Sequence, residues 1–484
     1  VKICMIAEGC YPYVIGGVSG WVHNLIKLFP EIEFNLVSIV ADRSYRGRFA
    51  YKLPDNLTEV YEVYLQDVEW VGNARVKSNR ISLKKKEVEA LRSLIIGEDV
   101  DWVTVFRMFN RQDISVNNLL MSPQFLEITK EFYRLRYVNI IFSDFLWTLR
   151  SMYLPLFLAL KFVPPKADIY HSVSTGYAGI IGCKAVSLYP DARLLISEHG
   201  IYTREREEEI IKAKWVQNVY KTIWIDQFRK MSKCAYYFGD LVTSLFEEAR
   251  SLQLNLGCPI SKTVITPNGI DTEAFKDIPM KDPDDPYINI GAVIRVTPIK
   301  DVKTMINAFY FAYKKQPRLK LWIMGPLDED PEYVDECMEL VRMLKAENIV
   351  FTGRIDTRDY IGKMDFLILT SISEGQPLSI LEGFAAKKPC IATNVGNCNG
   401  LIHGENDSFG EAGIVVPVMN VSEIADAILK LANNPEMVKK MGENGYKRLM
   451  FRYRNAYMEE TYRNIYKTLA RMSNVEYPEQ KYVS

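Results

Sequence analysis

The sequence predicts an α/β protein built from two doubly wound parallel sheets. Short apolar runs alternate with helix-spaced segments along most of the chain, a proline-rich acidic stretch interrupts them once, and the first apolar run feeds through a Gly-Gly turn into a helix. At 484 residues and 48% apolar, the chain has room for about three domains of ~150 residues, or for two large ones. Lys plus Arg number 60 and so do Asp plus Glu. That balance argues against a field that seeks polyphosphate, so nucleic acid is not an expected partner, and only a local basic pocket remains open.

Taken in order, residues 1–7 read as a buried strand, 8–17 as a Gly/Pro-rich turn, 18–29 as a helix and 33–40 as a second strand. From 41 to 166 the pattern is irregular, with charged helical stretches over 83–96 and 122–137; this reads as an insertion into the first domain. Strands over 169–173, 193–197, 241–244 and 263–265 follow, separated by a helix over 179–189 and one long helix over 207–238. Pro279, Pro283 and Pro286 then cluster with Asp282, Asp284 and Asp285, the composition of a linker. Beyond it, strands over 288–293, 319–324, 349–352, 366–370, 390–393 and 414–416 alternate with helices over 302–315, 333–346, 357–364, 378–387 and 421–433. Two such halves imply a cleft.

The eight cysteines form no C-x-x-C pair, which suits free, mostly buried thiols and a reducing compartment. The opening apolar run meets Glu8 too soon for a signal peptide. The apolar stretch 142–165 is broken by Asp144, Arg150, Pro155 and Lys161, short of the ~20 residues that span a bilayer. A cytoplasmic protein is the expectation.

In open α/β sheets ligands bind outside the carboxyl ends of the strands, so the residues that follow strands matter most. Gly16 and Gly17 stand in Tyr11-Pro-Tyr-Val-Ile-Gly-Gly-Val-Ser19, where backbone N–H groups could approach an anion at a helix N-terminus; a plain tight turn fits equally well. Arg295 and Lys300, in Ile294-Arg-Val-Thr-Pro-Ile-Lys-Asp301, could clamp a diphosphate from one side or be a solvated pair. Glu374 and Glu382 flank the helix start at Leu378 and Ser379, eight apart and so beyond i,i+4 pairing. His199 follows a strand beside Gly200, whereas His171 lies within a strand and reads as a core imidazole. No metal-ligand cluster, Walker loop or G-x-S-x-G elbow is present, and two Asp-x-Asp triplets, 282–284 and 328–330, read as solvated linkers.

Together, Gly16-Gly17, His199, Pro267-Asn-Gly-Ile-Asp271, Arg295 with Lys300, and Glu374-x7-Glu382 resemble the family-4 retaining glycosyltransferases of the GT-B fold, two Rossmann-like doubly wound domains facing a central cleft. A narrower resemblance, to the glycosyltransferases of Pel exopolysaccharide assembly, rests on the segments 8–23, 170–179, 198–206 and 394–402. The run 451–462 resembles the helix that crosses back onto the first domain. The resemblance implies domains at 1–278 with 454–484, and at 287–453. It implies no cofactor and no metal, with a UDP-sugar as donor substrate and a polysaccharide or glycan as acceptor. A membrane-bound export complex, met at the inner face of the membrane, would be the partner. Carried over, Arg295 and Lys300 neutralise the leaving diphosphate, with Gly17, Leu378 and Ser379 completing its cradle. Glu382 accepts from the ribose, and the backbone at Arg354 and Ile355 holds the base. Glu374, Gly375 and Gln376, before Pro377, contact the donor sugar, with His199 on its other side. An ADP-sugar synthase of the glycogen or starch type, or a non-catalytic nucleotide-sugar-binding scaffold, are the alternatives.

Overall fold

A computed structural model describes residues 1–9, 11–66 and 81–478. The chain divides into two compact units: Val1–Ile265 with the chain from Tyr462 onward, and Thr266–Thr461.

The first unit holds a seven-stranded sheet of β1 (Lys2–Glu8), β2 (Glu33–Val40), β3 (Leu57–Tyr64), β4 (Ile169–Ser172), β5 (Arg193–Glu198), β6 (Leu241–Ser244) and β7 (Thr263–Ile265). Every pairing is parallel, in the order β3-β2-β1-β4-β5-β6-β7. Residues Ile3, Cys4, Met5, Ile6 and Ala7 are wholly buried, as a central parallel strand covered on both faces requires. Ile3 is flanked by Phe34 on one side and Ile169 on the other. β3 escapes the sequence reading because it is an edge strand, half exposed, whose apolar positions are interrupted by Glu59 and Glu62.

The expected insertion therefore contributes a strand before it turns helical. Helices Lys85–Ile95, Trp102–Phe109, Val116–Leu120, Pro123–Arg136 and Phe142–Lys161 follow; residues 67–80 lie outside the described part. Ser122 starts one of these helices by accepting from Phe125 N (3.1 Å), with proline at the first helical position. Phe106, Phe109, Phe125, Tyr153 and Phe157 carry the helical cluster into the core of the first unit. The single helix expected over 207–238 is two, Tyr202–Lys212 and Asn218–Phe238. No glycine or proline marks the break. Packing sets it: Val216 and Tyr220 are buried, and Lys221 Nζ donates to the Ile211 carbonyl at 2.6 Å. The seven described cysteines are free and buried; Cys10 lies outside the described residues.

The second unit holds β8 (Ile288–Val293), β9 (Leu319–Met324), β10 (Ile349–Gly353), β11 (Phe366–Leu369), β12 (Cys390–Thr393) and β13 (Gly413–Val416) in one parallel sheet of order β10-β9-β8-β11-β12-β13. This is the doubly wound order whose direction reverses between β8 and β11. The unit begins at Thr266, earlier than the proline-rich stretch 279–286. Ile270 is buried in the second core, its N–H donates to Tyr453 O (2.8 Å), and Asn455 N donates to Ile270 O (3.0 Å). Residues 266–278 and 454–461 thus pack with the second unit. The proline-rich stretch is itself tied down, with Lys281 Nζ 2.6 Å from Asp365. Among the described residues no helix is long and apolar enough to cross a membrane.

Candidate functional site

The second sheet reverses direction between β8 and β11, and the carboxyl edge at such a reversal is where open α/β sheets hold their ligands. The loop after β8 ends in a turn, Pro298–Lys300, and Asp301 takes a left-handed backbone (φ 48°) to start helix Val302–Lys315. Thr370 Oγ1, just past β11, donates to the carbonyls of Lys300 (3.0 Å) and Asp301 (3.2 Å), and Ile372 N donates to Ile299 O (2.9 Å). Two loops distant in sequence are thereby stitched together. Lys300 Nζ consequently lies 2.5 Å from Glu374 Oε1, with the two side chains only 15% and 11% exposed. Ser371 Oγ donates to the same carboxylate oxygen.

The Glu374 loop is held from two further sides. Gln376 Oε1 accepts from Asn268 N (2.7 Å), which fastens the Pro267–Asp271 segment to it, while Gln376 Nε2 is buried without a partner among the described residues. Asn397 N donates to Gly375 O (2.8 Å). Gly396 has φ 51°, and a Cβ there would lie 2.3 Å from the carbonyl oxygens of both Glu374 and Gly375. Helix Leu378–Ala385 then begins after Pro377 with no side-chain cap, so the first-turn N–H groups at Leu378 and Ser379 form the positive end of a helix that starts four residues after Glu374. Glu382, one turn on, makes no side-chain hydrogen bond among the described residues. Burial pushes its carboxyl up to about 7, with Asp356 reinforcing and Arg358 opposing the shift. A half-buried carboxyl without donors suits a ligand that brings hydroxyls.

Arg295 and Lys300 do not converge on one partner. Arg295, 51% exposed, pairs with Glu329 at 2.8 Å. Arg354 reaches Asp328 at 3.7 Å, and Asp330 accepts from Tyr333 N (3.1 Å) to start helix Pro331–Leu344. The triplet 328–330 is solvated as expected at Asp328, whose side chain is 74% exposed, but Asp330 also has a local role as a helix cap. It follows β9, which lies between β8 and β10, so its carboxylates stand in line with the cations that follow those two strands. Ile355 packs against the core.

Gly16, Gly17 and His199 belong to the first unit. Gly16 is extended, helix Gly17–Leu28 starts without a side-chain cap, and a Cβ at either glycine would meet nothing within 4 Å. Internal packing therefore does not require glycine there. His199 stacks edge-on against Trp21, ring centroids 4.2 Å apart, with Nε2 buried and unpartnered among the described residues. Burial pushes its pKa down to about 4, so the ring is neutral near pH 7. His171 is the core imidazole expected: Nδ1 meets Tyr466 Oη and Nε2 meets Ser197 Oγ, both at 2.8 Å.

A cluster given no role from the sequence, although its residues lie in the segments 8–23, 170–179 and 198–206, is found at the reversal of this first sheet, between β1 and β4. Glu8 accepts from Ser174 Oγ (3.2 Å), Ala178 N (3.2 Å) and Tyr202 Oη (3.3 Å). A Cβ at Gly176 would lie 2.3 Å from the Tyr202 ring, and Arg206 sits over that ring at 5.2 Å. The signal was the recurrence of polar residues after three strands, legible only once β1, β4 and β5 are neighbours. Among the described residues no three His, Cys, Asp or Glu side chains are grouped to hold a metal ion.

Residues 1–261 match the family described as a domain of unknown function, DUF3492, more than half of the chain. The chain belongs to the DUF3492 family. Residues 287–434 match the family described as glycosyl transferases group 1. The chain is similar to the poly(ribitol-phosphate) alpha-N-acetylglucosaminyltransferase of Staphylococcus aureus, 24% identical over 37% of this chain and 35% of that protein, so it spans about a third of that relative. It is also similar to the UDP-Gal:alpha-D-GlcNAc-diphosphoundecaprenol alpha-1,3-galactosyltransferase of Escherichia coli, 26% identical over 56% of this chain and 67% of that one. Among solved structures, Anabaena HepE in complex with UDP superposes with a TM-score of 0.62 at 13% identity, covering 97% of this chain and 100% of that one. Two parallel-sheet Rossmann-like domains with such neighbours make the fold GT-B, and the match to glycosyl transferases group 1 falls within the second unit.

Proposed function

We propose that the protein is a retaining, metal-independent hexosyltransferase that takes its sugar from UDP-glucose or a UDP-N-acetylhexosamine and adds it to a growing exopolysaccharide. The observation that carries this reading is the Lys300–Glu374 pair in the loop that leads into the uncapped start of helix Leu378–Ala385. As the sugar–phosphate bond breaks, charge grows on the diphosphate, and a fixed ammonium with helix-end N–H groups is placed to meet it. Arg295 is the second cation, exchanging Glu329 for phosphate. Glu382 accepts from the ribose hydroxyls, and the backbone at Arg354 and Ile355 receives the base. Glu374, Gly375 and Gln376 contact the hexose. From the first unit, His199 contributes a neutral hydrogen-bonding ring and Gly16-Gly17 open backbone N–H groups. Retention follows if the acceptor hydroxyl attacks the anomeric carbon from the face the diphosphate leaves, its proton passing to the departing phosphate oxygen.

The UDP complex of HepE supports a uridine donor, as does the UDP-Gal in the name of the Escherichia coli relative. The likeness of segments 8–23, 170–179, 198–206 and 394–402 to Pel assembly enzymes supports an exopolysaccharide acceptor, a cytoplasmic site of action and a membrane-bound export partner. Calorimetry with UDP and ADP tests the donor. UDP should bind at least about tenfold more tightly, some 1.4 kcal/mol, and a preference for ADP would overturn the uridine assignment.

A further inference from the structure

Away from the residues assigned above, the helical insertion and helix Asn218–Phe238 line a half-open surface cavity of about 220 Å³. Three cations line it, Arg136, Lys230 and Lys233. A fourth, Arg229, is held by Glu207 at 3.1 Å. Two carboxylates, Glu98 and Asp226, face the same space, and Gln227 Oε1 is buried there with no hydrogen-bond partner among the described residues. Lys230 Nζ is anchored to Leu94 O at 3.0 Å. Burial, with Arg136 and Lys233 nearby, outweighs Asp226 and Glu98 and pushes its pKa down to about 8.

We propose that this cavity binds a small phosphate ester bearing hydroxyl groups, a sugar phosphate in size and chemistry. The cations leave an excess of positive charge that a phosphoryl group would balance, and Arg136 offers it a planar fork. A bare phosphate dianion has no hydrogens for Glu98, Asp226 and the orphaned Gln227 oxygen; the hydroxyls of a sugar do. Phe132 and Tyr153 give the ring's C–H faces an apolar wall. The volume lies below the ~300–1,000 Å³ of clefts for larger ligands, which limits the occupant to about one ring and one phosphoryl group. The site would give the insertion a ligand-binding role, and it does not depend on the proposed transfer.

The ester can be free or be the headgroup of a phosphoinositide, and one experiment with two arms separates these sources. In the first, the full chain saturated with UDP is titrated calorimetrically with glucose 6-phosphate, glucose and inorganic phosphate. In the second, it is sedimented with phosphatidylcholine vesicles with and without phosphatidylinositol phosphate. Submillimolar glucose 6-phosphate binding is expected, with glucose and phosphate each at least about tenfold weaker. Vesicle capture without soluble binding assigns the headgroup instead. Lys230→Gln and the solvent-exposed Lys233→Gln should each weaken whichever binding is seen by about tenfold, leaving UDP affinity unchanged. No binding in either arm, inorganic phosphate binding as tightly as the ester, or binding that Lys233→Gln leaves intact would overturn the proposal. UDP affinity, read in a separate titration of each protein before UDP is added to saturation, reports on the donor site.

Discussion

Glu382 is the side chain whose chemistry is most exposed to test. Its carboxyl titrates near 7 in the folded chain because burial disfavours the charge, whereas an unfolded glutamate titrates near ~4.3. Between these values the folded state holds the proton more tightly. The stability this contributes is complete below the unfolded value and is lost as pH rises through about 7. Glu382→Gln should therefore leave stability unchanged at pH 4 and raise it by roughly 1–3 kcal/mol at pH 8 in denaturant titrations. The same change should weaken UDP binding by about tenfold or more, because the ribose hydroxyls lose a charged acceptor. Wild-type UDP affinity should rise between pH 6 and pH 8 as the carboxylate forms. A variant with no stability gain at pH 8 would mean that the carboxyl carries no burial cost. His199 behaves differently: pushed down to about 4, it stays neutral over the working range and adds no ionisation to a rate profile above about pH 5.

Among the elements, the turn at Gly396 controls the Glu374 loop, because its left-handed backbone passes against two carbonyl oxygens at a distance no Cβ tolerates. Gly396→Ala should displace Glu374 from Lys300 and weaken UDP binding at least about tenfold, with a stability loss of roughly 1–3 kcal/mol. Unaltered UDP affinity in a folded variant would remove the turn from the site. The sequence displayed glycine here but not its reason, which needs β11 and β12 side by side. Central elements were legible where buried apolar runs end at breakers: β6, β8, β9, β12 and helix Val302–Lys315 fall at the residues expected, as does the short edge strand β7, bounded by Pro259 and Pro267. Edge strand β3, helix Pro435–Arg452 and the break between Lys212 and Asn218 were not, since half-exposed surfaces and tertiary packing leave no local mark. The site follows the same rule. Lys300, Glu374 and Glu382 could be picked out by their places after strands, whereas the pairing of Arg295 with Glu329 depends on β8 and β9 being neighbours.

For the whole molecule, the order of the chain makes the two units unequal. The second, Thr266–Thr461, is continuous, while the first needs the chain from Tyr462 onward. Tyr462, Tyr466 and Leu469 are buried in the first unit, and Tyr466 bonds His171. At ~1.5–3 kcal/mol for each large buried side chain, their loss rivals a typical domain stability of ~5–15 kcal/mol. A chain ending at 461 should therefore lose cooperative unfolding of the first unit. Residues 266–461 alone should fold and bind UDP, because Lys300, Glu374, Leu378, Ser379 and Glu382 all lie within them. Near-ultraviolet circular dichroism and calorimetry on the two pieces check both statements. The balance of 60 basic and 60 acidic residues agrees with a protein whose positive charge is needed only locally.

The central claim, that this site discharges a nucleotide-sugar, is tested most directly by nucleoside diphosphate release. Wild type and Lys300→Ala would each be incubated with UDP-glucose, UDP-N-acetylglucosamine, UDP-N-acetylgalactosamine and ADP-glucose. Release of UDP from one of the uridine donors by wild type, lowered ~10²–10³-fold in the variant, is the expected result. Equal release by the two proteins would contradict the account, as would turnover of ADP-glucose alone.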